Sequence, residues 1–364
     1  MSGTGKARLS LTEAPLKDMV KNLRAVANGF ETGQAFYTAL ELGVFDSLRT
    51  EKSAAELAAE VGTIPDMTAR LLDLLAGLGL LEKNGNRYAV RDEYVPFLVE
   101  GEPYYASYLR YSLDRRHYWM NLGEILKNGP SPGMNAPGYD SGPGPGAVEH
   151  MARNAVLGRL QATLKIVSML PEFRSARRMI DLGGGHGLFG IGFAQENLSL
   201  EVDVFDRPGV TDVASRYIDE YGLQDRVRTI TGDYNADSLG AGYDVALDIC
   251  SFGGSRPGAK AFYEKVAGCL NEGGLFVKST FTLDDDRKGP PLTLMFDLEE
   301  HITGHGHFHV TNQELFEQFA AAGLCGEKVI DLSPFVDVPM RLIIAKKVCE
   351  ETLDRGEPWR SADG

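Results

Sequence analysis

Met179-Ile180-Asp181-Leu182-Gly183-Gly184-Gly185-His186-Gly187 joins a short apolar run to a glycine-rich turn, and the stretch 187–196 that follows reads as a helix. Strand, turn and helix in that order open an α/β unit. Glycine permits a tight turn and lets the backbone come close to a ligand, as in dinucleotide-binding turns. Alone, such a turn is a weak signal, so its surroundings carry the reading.

Downstream, strands are expected at 178–182, 201–205, 227–231, 243–250, 274–281, 328–333 and 340–347, with helices at 187–196, 210–221, 258–270 and 312–322. This alternation predicts a doubly wound α/β sheet. The last two strands are separated only by a short turn, which makes them an antiparallel pair. Asp206 closes the second strand twenty-three residues after Gly183, where a carboxylate bridges two ribose hydroxyls. Gly232-Asp233-Tyr234 closes the third, offering a carboxylate for an adenine amino group and an aromatic face for stacking.

The motifs DLGGGHG (181–187), FDRPGV (205–210), GDY (232–234) and CLNEGGLFV (269–277) together resemble the class I S-adenosylmethionine methyltransferases. The resemblance is specifically to the homodimeric small-molecule O-methyltransferases, the group of the caffeate and acetylserotonin enzymes, and covers residues 20–348. It implies a Rossmann-like domain of seven strands behind a mainly helical, winged-helix dimerisation domain. It also implies that Asp181, Gly183 and Gly185 hold the amino-acid end of S-adenosylmethionine, Asp206 with Arg207 the ribose, and Gly232, Asp233 and Tyr234 the adenine. Asp248, at the end of the fourth strand, is assigned to the same cofactor. A nicotinamide-binding domain would need G-x-G-x-x-G, and here the third glycine falls on Leu188.

The family carries a His-Asp pair after the fourth strand, whose His takes the proton of the acceptor hydroxyl. This chain reads Asp248-Ile-Cys-Ser-Phe-Gly-Gly-Ser-Arg-Pro257, with no His between 187 and 300. A phenol ionises near about 10 in water, so its attack benefits from a base. A thioether sulfur has a lone pair and no proton to lose, so alignment and stabilisation of the travelling cation suffice. A thioether hydroxy acid such as 4-methylthio-2-hydroxybutyrate, methylated in dimethylsulfoniopropionate synthesis, is an acceptor of this kind. The alternatives are O-methylation by a relocated His, or a fold that no longer transfers methyl groups.

Relocated bases are available in His301, His305, His307 and His309, four of the seven histidines within nine residues. A metal site, a catalytic or substrate-binding cluster and a hydrated loop all suit that spacing; no metal is assigned. His305, His307 and His309, with Tyr108, are the candidate catalytic groups. Acceptor-pocket candidates are Tyr111, Arg115, His117 and Trp119 from the aromatic stretch 104–128, which reads as a helix, His150, Met151 and Asn154 from a helix over 147–170, and Phe252, Met295 and His301. Asp284-Asp285-Asp286 reads as a solvated loop.

Upstream, 32–48 carries apolar residues at four-residue spacing, Ser53-Ala-Ala-Glu56 is a capping box, and Pro65-Asp66 starts a further helix. Asn84-Gly85 marks a hairpin, which completes a winged-helix pattern. Six Gly and five Pro make 129–146 an irregular loop. The expected divisions are 1–105 for dimerisation, 106–170 as helical connector and lid, 171–348 for the cofactor and 349–364 as a tail.

The 364 residues carry 37 Lys and Arg against 51 Asp and Glu, net −14. That surplus repels phosphate backbones and anionic lipid, and the third helix of the winged-helix region offers only Arg70 as a base, so no nucleic-acid partner is expected. The longest apolar run, 71–81, is interrupted by Asp73 and is shorter than the ~20 residues of a membrane span. The first twenty residues lack a signal-peptide core. Four cysteines without C-x-x-C spacing fit a reducing compartment. A cytoplasmic homodimer acting on a small-molecule acceptor is expected.

Overall fold

The computed structural model of the chain describes residues 17–102, 104–106, 108–111, 116–130, 144–253, 258–304 and 309–347. It divides into two units between Leu113 and Asp114.

The first unit contains α1 (Lys17–Glu41), α2 (Val44–Ser47), β1 (Lys52–Ser53), α3 (Ala54–Val61), α4 (Pro65–Gly77), β2 (Leu81–Asn84), β3 (Arg87–Val90), α5 (Val95–Leu98) and α6 (Tyr108–Tyr111). The capping box is present: Ser53 Oγ accepts the Glu56 N–H, and Glu56 Oε2 accepts the Ser53 N–H at 2.7 Å. β3 lies between β1 and β2, and Asn84 pairs with Arg87 across the hairpin. Phe45, Leu48, Leu57, Leu72 and Leu75 fill the core between these helices and the wing. The outward residues Met19, Val20, Leu23, Val26 and Phe30 leave an apolar stripe on α1.

The second unit opens with α7 (Arg116–Met120), α8 (Leu122–Asn128), α9 (Pro145–Ala155), α10 (Arg159–Val167) and α11 (Pro171–Ser175). There follow β4 (Arg178–Leu182), α12 (Leu188–Glu196), β5 (Glu201–Asp206), α13 (Val210–Glu220), β6 (Val227–Thr231) and β7 (Tyr243–Ile249). The unit closes with α14 (Ala259–Cys269), β8 (Leu270–Thr280), α15 (Pro291–Ile302), α16 (Asn312–Ala321), β9 (Leu324–Asp331) and β10 (Arg341–Lys347). One seven-stranded sheet runs β6-β5-β4-β7-β8-β10-β9, parallel except for β10, which is antiparallel to both neighbours. The edge strands are β6 and β9. The expected α/β class, strand alternation and final antiparallel pair are all present.

Three local expectations are corrected. The stretch 104–128 is not one helix: Asn121 Nδ2 turns back onto the His117 carbonyl at 2.8 Å and ends α7. The helix expected over 147–170 breaks into α9 and α10 at Gly158, whose φ is +130° and where a Cβ would stand 2.6 Å from the Phe335 carbonyl oxygen. β9 begins four residues earlier than expected, at Leu324, because Gly326 lies under the Phe316 ring where any Cβ would collide.

Apolar clusters cover both faces of the sheet, as a parallel sheet requires. α12 is buried along most of its length, and Gly192 allows its close approach to Leu164 of α10. This packing fixes the turn that precedes α12.

Candidate active site

β4 and β7 are neighbours, and their connections lead to opposite halves of the sheet, through α12 to β5 and through α14 to β8. A crevice therefore opens at their carboxyl ends, where ligands of doubly wound sheets bind. Its floor is the turn 183–187. Gly183 has φ +62°, and a Cβ there would stand 1.8 Å from Ser251 Oγ. Gly184 likewise leaves no room beside the Asp181 carboxylate.

The turn is tied to the end of β5. Gly183 N–H donates to the Phe205 carbonyl at 2.8 Å, and Gly185 N–H to Asp206 Oδ2 at 2.8 Å. Asp206 Oδ1 accepts the Arg207 N–H at 2.7 Å. Burial pushes the Asp206 carboxyl up despite these donors. Asp181 is 1% exposed, and its Oδ2 has no hydrogen-bond partner among the described residues. Burial first, and then the charge of Asp206, push its carboxyl up to about 7. An orphaned buried acceptor costs about 1–3 kcal/mol, which a cationic ligand would offset.

At the end of β6, Tyr234 packs edge-on against Phe252 and Phe262, and its hydroxyl accepts from Ser251 Oγ at 3.2 Å. Asp233 is exposed, and its Oδ1 accepts two donors from Asn235. Gly232 is closed in by the Phe205 ring. The structure thus gathers Asp181, Gly183, Gly185 and Asp206 in one crevice, with Tyr234 joined to it through Ser251.

Asp248 has another task. It is fully buried; Oδ1 accepts the N–H groups of Ser251 and Phe252 (3.0 and 3.2 Å), and Oδ2 takes Lys278 Nζ at 2.6 Å. Lys278 also donates to the Phe252 carbonyl at 2.7 Å. The pair holds the turn after β7 from beneath, so Asp248 is a positioning residue and not a cofactor ligand. Phe252 is corrected too: it is 3% exposed and stacks on Phe262 with centroids 4.1 Å apart, inside the core. Sequence reasoning missed Lys278 and Ser251. The signal for Lys278 was a lone charge in the apolar strand LFVKST, in register with Asp248.

On the acceptor side, His309 is buried, and its Nδ1 donates to the Phe281 carbonyl at 3.0 Å. A carbonyl only accepts, so Nδ1 carries a proton. His301 Nδ1 donates to the Asp297 carbonyl, one turn back on α15. Trp119 Nε1 bonds Glu299 at 3.0 Å, which docks α7 onto α15, and His117 is exposed. His150 and Asn154 are half-buried on one face of α9, and Asn154 Oδ1 has no partner among the described residues. Met151 and Met295 are exposed, and Tyr108 belongs to the first unit. Arg115, His305 and His307 lie outside the described residues, as does the side chain of Tyr111.

Comparison with known proteins places this geometry. Residues 25–94 match the O-methyltransferase dimerisation domain and residues 156–324 the O-methyltransferase domain. An uncharacterised protein of Methanocaldococcus jannaschii is 32% identical over 76% of this chain and 74% of its own length. The chain belongs to the S-adenosylmethionine-dependent O-methyltransferase family. The N,N-dimethyltransferase OxyT of Streptomyces rimosus is 26% identical, covering 81% of this methyltransferase and 87% of its relative. Human N-acetylserotonin methyltransferase, solved in complex with S-adenosylmethionine, has the same fold, with a TM-score of 0.71 at 21% identity over 93% of this chain and 100% of that one. No described helix of the methyltransferase is long and apolar enough to cross a membrane.

Proposed function

We propose that this enzyme methylates a small molecule whose attacking atom needs no proton removed at the end of β7. One observation carries the reading. Where the family places its His-Asp pair, the turn is Cys250-Ser251-Phe252-Gly253, and the charges beneath it, Asp248 and Lys278, are spent on each other. A thioether meets the requirement, and a thioether hydroxy acid such as 4-methylthio-2-hydroxybutyrate is the acceptor we favour. A relative named as an N,N-dimethyltransferase is consistent with nucleophiles other than a hydroxyl.

The bound cofactor supplies an activated methyl group on a sulfonium. The chain's part is to place it: Asp181, Gly183 and Gly185 at the amino-acid end, Asp206 and Arg207 at the ribose, Gly232, Asp233 and Tyr234 at the adenine. Holding donor and acceptor in line replaces a bimolecular encounter by a unimolecular step, which lowers a barrier by as much as about 7–11 kcal/mol. His150, Asn154 and Met151 on α9 face the acceptor in this reading.

A second reading takes His309, its ring held by the Phe281 carbonyl, as the general base that restores O-methylation. Turnover with methyl-labelled S-adenosylmethionine and a panel of thioethers, amines and phenols, with products identified by mass spectrometry, separates the two. The favoured reading expects a labelled sulfonium, a rate with no rising limb from acceptor ionisation between about pH 6 and 9, and full turnover in His309→Ala. Transfer to a phenol, lost in that variant, would establish the second reading instead. Cofactor binding without transfer to any acceptor would refute both.

A further inference from the structure

Arg159 is the first residue of α10, half-buried, directly after the break at Gly158. Its guanidinium lies beside the Cys250 thiol at the end of β7, and its charge reaches the His186 ring in the glycine turn after β4. One side chain thus touches the wall at β7 and acts through its charge on the wall at β4. Cys250 is accessible to solvent, so the contact lies at the surface of the crevice.

The Arg159 guanidinium bonds the Cys250 thiol, which does not neutralise its charge. Among the described residues no carboxylate stands within ion-pair distance of it. Glu149, whose charge also reaches His186, is held by Arg216 and by the Tyr217 hydroxyl at 2.9 Å. The first turn of a helix is the positive end of its dipole and disfavours a cation. A charge that local structure does not reward is the kind of exception found at functional sites.

The charges in the crevice are divided. Asp181 feels the negative charges of Asp206 and Asp248, whereas Arg159 acts on Cys250 and His186. A ligand suited to this division carries a cation and a carboxylate close together. The amino-acid tail of S-adenosylmethionine does so on a single carbon. We propose that Arg159 binds the α-carboxylate of that tail, its planar fork taking both oxygens, while the ammonium lies toward Asp181. This inference rests on the cofactor reading above and adds a residue to it.

Calorimetric titration of the full chain with S-adenosylhomocysteine and with 5′-methylthioadenosine, which lacks the amino acid, tests it. In Arg159→Met, affinity for S-adenosylhomocysteine should fall about ten- to a hundredfold, the range of a charged hydrogen bond. Affinity for 5′-methylthioadenosine should stay within about twofold. Arg159→Lys keeps the charge without the fork and should fall between wild type and Arg159→Met. Unchanged binding of both compounds, or equal loss of both, overturns the assignment. A wild-type chain that binds neither compound removes the cofactor reading itself, and the assignment with it.

Discussion

Asp181 has the consequence most open to measurement. Its carboxyl, at about 7 against an ordinary 3.8, keeps its proton in the folded chain where the unfolded chain has lost it. Its contribution to stability therefore falls as pH rises between those values and is level above them. His186 acts in the opposite sense: burial first, then the Arg159 charge, hold its ring down to about 4, so its contribution is lost as pH falls from 6.5 toward 4. For the ligand the sign is clear. An ammonium beside Asp181 favours the ionised form, so affinity for S-adenosylhomocysteine should rise by close to tenfold per unit below about pH 7 and flatten above it. Asp181→Asn should lose that dependence. A wild-type profile flat across neutrality would refute the pairing. The glycines, Asp181 and Asp206 were legible in the sequence because they sit within or just beyond one strand–turn–helix motif. Asp248 and Phe252 were misassigned and Arg159 was missed, because contacts between strands or with a distant helix leave no local spacing to read.

The β7–β8 pair gives the element-scale prediction. Removing one member of a buried ion pair strands the other charge, at a cost of about 3–5 kcal/mol, whereas replacing both with apolar side chains is near neutral. Lys278→Met should lower the unfolding free energy measured in urea by that margin, and the double variant Asp248→Leu/Lys278→Met should recover only part of it, because the Ser251 and Phe252 N–H groups and the Phe252 carbonyl stay unpaired. If Lys278→Met unfolds with the wild-type midpoint, the pair does not hold the turn. Elements with end signals were the readable ones: the Ser53 capping box, Pro65 at the start of α4, and the alternation of β4 to β7. The breaks at Asn121 and Gly158 were not, because each depends on a contact made only in the folded chain, a side chain folding back or a carbonyl arriving from residue 335.

The whole chain adds a prediction about assembly. The first unit matches a dimerisation domain, and Leu23 and Val26 of α1 are 71% and 82% exposed within a stripe of apolar neighbours. A stripe of this kind marks a contact surface. We expect a dimer by sedimentation, and a monomer in Leu23→Asp/Val26→Asp with the fold unchanged by circular dichroism. A double variant that stays dimeric would place the contact elsewhere. The order of the sheet has a related consequence. Both of its edges are guarded, β6 by exposed Arg228 and β9 by exposed Glu327 and Lys328, and charges in such places obstruct the addition of another strand. A sheet that refuses new strands closes one open-ended route by which copies could join, so crowding does not draw this protein into fibres by strand addition.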